Sequence, residues 1–84
     1  MKLLIAKEWE GKRETTVHVR LVENRQGKRT WVVILMKYFV GVRYSFTNRR
    51  DAMTEARALL HNPTTAIKQL ERFLPPQKRV KWLS

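Results

Sequence analysis

The chain contains no cysteine, which removes both disulfides and thiolate metal sites as ways of holding it together. Its three glycines, at positions 11, 27 and 41, are too scattered for a phosphate-cradling glycine loop. The longest apolar run, WVVILM, falls far short of the roughly 20 residues that span a bilayer. MKLLIA at the start lacks a full-length apolar stretch and a small-residue cleavage site, so a signal peptide is not expected. The expectation is a soluble intracellular protein, cytoplasmic or nucleoid-associated. His18 and His61 stand far apart and neither has a partner at ligand-like spacing, so no metal is expected. The serines are Ser45 and Ser84, and the acids Glu8, Glu10, Glu14, Glu23, Asp51, Glu55 and Glu71 mostly have surface-like neighbours. These residues suggest a binding protein with no cofactor, not an enzyme.

Negative charge is the scarcest commodity. Seven acids face 18 lysines and arginines over 84 residues, a formal charge of +11. Such an excess speaks about partners and not about fold: nucleic acid, an anionic surface or an acidic protein. An apolar fraction of 43% is ordinary for globular chains, so one modest core is expected.

Hydrophobic periodicity divides the chain into two halves. Residues 3–9 can form a first strand, followed by the turn-prone EGKR. Over 15–22, Val17, Val19 and Leu21 alternate with His18 and Arg20, the mark of a half-buried strand. ENRQGKR has hairpin-loop composition, and the apolar strand over 30–36 suits the middle of a sheet. The chain must reverse around 38–41, with Gly41 the natural site for an unusual backbone conformation. Val42, Tyr44 and Phe46 then alternate with Arg43 and Ser45. Beyond Phe46 the period becomes helical. Ala52, Ala56, Leu59 and Leu60 form one stripe, Ala66, Ile67, Leu70, Phe73 and Leu74 a second. Asn62 is expected to cap the second helix with Pro63 at its first position. The fold class is α+β: a small antiparallel sheet of three or four strands followed by two short helices. Residues 1–76 would form a single domain and 77–84 a basic tail.

Positive charge is unevenly spread. Between Asn24 and Arg50 there is no acid, yet Arg25, Lys28, Arg29, Lys37, Arg43, Arg49 and Arg50 all fall there. With Arg20 and the tail residues Lys78, Arg79 and Lys81, these are the candidate nucleic-acid-binding residues. Trp82 can stack on a base or fold back with Val80 and Leu83 onto the core, whereas Trp9 and Trp31, set in apolar stretches, are expected in the core. Arg49 and Arg50 follow the capping residues Thr47 and Asn48, so both cations stand where a helix end is already positive. A phosphate clamp built on the helix N–H groups and these side chains is one explanation. Charge compensation by Asp51 is the other.

The run KRTWVVILMKYFVGVRYSFTNRRDAMTEARALL, residues 28–60, resembles the arm-type DNA-binding domains of tyrosine integrases and plant ethylene-response-factor domains. An aromatic-led strand from Trp31, a strand ending at Phe46, a polar cap and an Ala-rich helix carry the resemblance. It implies a three-stranded sheet docked in a DNA major groove through Arg20, Lys28, Arg29 and Arg43. The function expected is a small nucleic-acid-binding protein, with duplex DNA ahead of RNA, of the kind phages and mobile elements use as regulatory or accessory factors. Val32, Ile34 and Met36 on the outward face keep open a second class, an inhibitor or adaptor that pairs with an acidic partner protein. RNA or ribosome association is a third, and a membrane partner is not expected.

Overall fold

In the computed structural model, which describes residues 1–37 and 40–72, four strands are followed by two helices. The strands β1 (Lys2–Glu10), β2 (Thr15–Glu23), β3 (Arg29–Lys37) and β4 (Val40–Phe46) pair antiparallel in chain order. The helices α1 (Arg49–His61) and α2 (Thr64–Glu71) follow. The α+β architecture read from the sequence is therefore present, with four strands, and the basic tail and the second stripe's Phe73 and Leu74 lie outside the described residues.

Register sorts the side chains into two layers. Val17, Val19 and Leu21 of β2 stand opposite Leu35, Val33 and Trp31 of β3, which in turn face Val42, Tyr44 and Phe46 of β4. This face receives the helices. α1 packs on β2, β3 and β4 through Ala52, Ala56 and Leu59, and α2 packs on β3 and β4 through Ala66, Ile67 and Leu70. Alanines at two successive turns of α1 let the helix approach the β-branched sheet surface closely. Val17, Val33 and Leu35 are fully buried, and each such side chain contributes about 1.5–3 kcal/mol. Trp9 and Trp31 pack against the rim of this core.

The strand β1 lies at the sheet edge and reaches past the helices, leaving Leu3 and Ile5 54% and 40% exposed. A bulge between Leu3 and Ile5 shifts the register, so Leu3 shares the open face with Val22 while Ile5, Lys7 and Trp9 face the helix side.

Loop chemistry departs from expectation in two places. Gly41 is not the unusual-backbone residue of the 38–41 reversal. It sits inside β4, and among glycines only Gly27 has a positive φ, +82°. Gly41 instead leaves room for a neighbour, since a Cβ there would lie 2.8 Å from the Met36 sulfur. Pro63 is the N-cap of α2, not its first residue, although the Asn62 Oδ1 still accepts from the Thr64 N–H at 3.3 Å. In the β1–β2 turn the left-handed positions fall to Arg13 and Glu14, at φ 56° and 60°, with Gly11 spared.

Two consequences can be measured. A side chain in the left-handed region costs about 1 kcal/mol or more, so Glu14→Gly is expected to raise the unfolding free energy by about 0.5–1 kcal/mol in urea titration. Separately, the Tyr44 hydroxyl donates to Gln69 Oε1 at 3.3 Å, joining β4 to α2. Burial, and secondarily the Glu55 carboxylate, holds its pKa above the ordinary 10.0. The unfolded chain therefore loses this proton first. Stability from this group is intact below pH 10 and declines as pH rises through the folded value, and Tyr44→Phe is expected to flatten that alkaline decline in a pH series of thermal melts.

Candidate nucleic-acid interface

A meander places alternate chain reversals at the same end of the sheet. Lys2 of β1 pairs with Glu23 of β2, Glu23 with Arg29 of β3, and Trp31 of β3 with Phe46 of β4. The 24–28 loop, the start of β1 and the entry to α1 consequently lie together. Arg25, Lys28, Arg29, Arg49 and Arg50, separated in sequence by up to 25 positions, are gathered at this end along with Lys2.

The hairpin that presents the first three is rigidly built. Asn24 Oδ1 accepts from the backbone N–H groups of Gln26 and Lys28, each at 2.9 Å. Gly27 N–H donates to the Asn24 carbonyl at 3.0 Å and supplies the left-handed residue that lets β3 leave in register. Arg25, Lys28 and Arg29 are exposed around it. Arg29 Nε meets Glu23 Oε2 at 3.3 Å, but with its side chain 65% exposed this ion pair is worth little and yields readily to a stronger anion.

Across the same end, Asn48 caps α1. Its Oδ1 accepts from the Asp51 N–H at 2.9 Å, and its Nδ2 donates to Asp51 Oδ2 at 3.0 Å. This reciprocal pair anchors the helix start directly beside its two leading cations. Arg49 and Arg50 remain exposed beside the first-turn N–H groups.

The other candidates fall elsewhere. Arg20 and Arg43 lie on the face away from the helices, on β2 and β4, with Val32 and Ile34 of β3 opposite them. Lys37 ends β3, roughly 26 Å from Arg29 at strand rise, and does not join the cluster. Lys78, Arg79 and Lys81 lie outside the described residues. On the open face Val32 is only 2% exposed, whereas Ile34 and Met36 are half-buried and lean over Gly41.

Two cations were missed in the sequence. Lys7, masked there by Glu8 and Glu10, faces the helix side of β1. With Arg49 it lines a cavity of about 220 Å³ floored by Ile5, Val19, Trp31 and Met53. Arg57, masked by Glu55, shares a shallow surface with Arg49, Arg50, Met53 and Thr54. The helical spacing 49–53–57 and 50–57 was the available signal. A scan against models of known protein families finds no match, and no curated protein or solved structure is significantly similar to the chain.

The cap can be tested alone. Asn48→Ala removes the acceptor of the Asp51 N–H and the donor to its carboxylate, while the charge of Asp51 stays in place. It is expected to cost about 1 kcal/mol or somewhat more in denaturant unfolding.

Proposed function

We propose that the protein binds nucleic acid, duplex DNA ahead of RNA, by neutralising backbone phosphates with the basic end of its sheet. One observation carries this reading: Arg25, Lys28, Arg29, Arg49 and Arg50 converge on one end, where the nearby carboxylates of Glu23 and Asp51 are already engaged. Cations so concentrated repel one another, and a polyanion relieves that repulsion while releasing its own counterions. The strand–turn–strand–helix order of β3, β4 and α1 is also the order through which residues 28–60 resemble those DNA-binding domains. A role as a regulatory or accessory factor of a phage or mobile element belongs to this proposal.

The rival reading, a docking face for an acidic protein, needs an available apolar strand on the open face. Val32 is covered and Ile34 and Met36 are half-buried, which favours phosphate as the target of the charge.

Fluorescence anisotropy with labelled duplex DNA and duplex RNA at several salt concentrations tests the proposal. Submicromolar DNA binding is expected at low salt, with a log–log slope of about −4.5 if five phosphates are neutralised. Arg49→Ala with Arg50→Ala is expected to lower the slope by about two while stability rises by roughly 0.5 kcal/mol, because helix-start repulsion is removed. Weak binding to both duplexes would overturn the reading in favour of a protein partner.

A further inference from the structure

We infer that duplex DNA lies along a ridge formed by Lys7 and the outward side of α1, continuous with the basic end, and not against the open face of the sheet. The inference rests on the nucleic-acid reading above and chooses its docking surface. It also reverses the geometry that the resemblance implies, in which the outward sheet face meets the groove.

The charge on the two faces decides it. On the open face, register places Arg20 and Arg43 together with Glu8 and Glu10, two cations against two carboxylates. Glu8, His18, Ile34 and Arg43 form one cross-strand row, and Glu10, Thr16, Met36 and Gly41 another. A phosphate backbone laid there would meet two carboxylates and the apolar middle of β3. The ridge contrasts with this. Arg49, Arg50 and Arg57 adjoin one shallow surface, and Arg49 and Met53 continue it into the cavity that Lys7 lines. None of these four cations is held in an ion pair among the described residues. The acids of α1 are placed elsewhere: Asp51 is bonded to Asn48, and Glu55 acts on Tyr44 of β4.

Helix geometry gives the ridge its length. Arg50 and Arg57 are seven residues apart, close to two turns, so they share a stripe about 10 Å long. Arginine side chains reach from such a stripe to phosphates on either side of a groove, and Arg49 leads the row back to the 24–28 hairpin. The contacts are with backbone phosphates, which set position and affinity without reading sequence.

Lys7 and Arg57 separate this inference from the broader reading, since neither belongs to the hairpin-end cluster. With the full chain and a labelled 20-base-pair duplex, Lys7→Ala combined with Arg57→Ala is expected to weaken binding about tenfold and to lower the salt slope by about two. Arg20→Ala with Arg43→Ala is expected to stay within about twofold of wild type. The charge-keeping pair Lys7→Arg with Arg57→Lys, folded by circular dichroism, should also bind within about twofold. A larger loss from the Arg20 and Arg43 pair would make the sheet face the docking surface and overturn the inference while the nucleic-acid reading stands. A loss under twofold from the Lys7 and Arg57 alanine pair, or an equal loss from the charge-keeping pair, would overturn it as well. If the wild-type chain shows no salt-dependent binding, the inference and the reading fail together.

Discussion

The seam between the sheet and its helices sets the terms for everything else. Val17, Val19, Val33 and Leu35 press against Ala52, Ala56, Leu59, Ala66, Ile67 and Leu70, and no disulfide supplements this contact. Because the helical side contributes mostly alanine at α1, close approach takes the place of bulk, and a larger residue at Ala52 or Ala56 would force the layers apart. The same seam fixes which strand residues face water, and therefore where a charge can be tolerated. β1 extends past the helices, so its helix-side residues Ile5 and Lys7 look onto a cavity and not into the core.

A chain with a charge of +11 cannot hide its cations, but it can choose where they collect. Antiparallel connectivity brings the hairpin loop and the helix entry to one end, and the phase of α1 turns Arg49, Arg50 and Arg57 outward. The cost is visible at Asn48, where a two-way bond with Asp51 steadies a helix start that its first two residues would otherwise weaken. The Arg29–Glu23 pair is looser, and its exposure leaves the guanidinium free to exchange partners.

Much of the fold was legible because β2 and β4 alternate cleanly and the helical stripes recur at the proper spacing. β1 was harder to read: a bulge interrupts its alternation, and an edge strand reaching past the helices lacks a strong inward pattern. Glycine misled once, at Gly41, for a physical reason. A glycine can serve close packing as well as backbone freedom, and Gly41 accommodates Met36 while Arg13 and Glu14 take the left-handed positions of another turn. On the charged surface, the acid-free window marks Arg25 to Arg50 and leaves out Lys7 and Arg57, whose neighbours in sequence are acids although both adjoin Arg49 in space. Which cations meet is set by strand register and helix phase, and local composition records neither.

The meander has a kinetic side. Every strand pairs with the next one in the chain, across a loop of a few residues wherever the connection is described, so little entropy is lost in closing each hairpin. Sheets built from such neighbouring pairings have low contact order and form faster than those that join distant segments. Strand pairing can proceed without waiting for residues far along the chain.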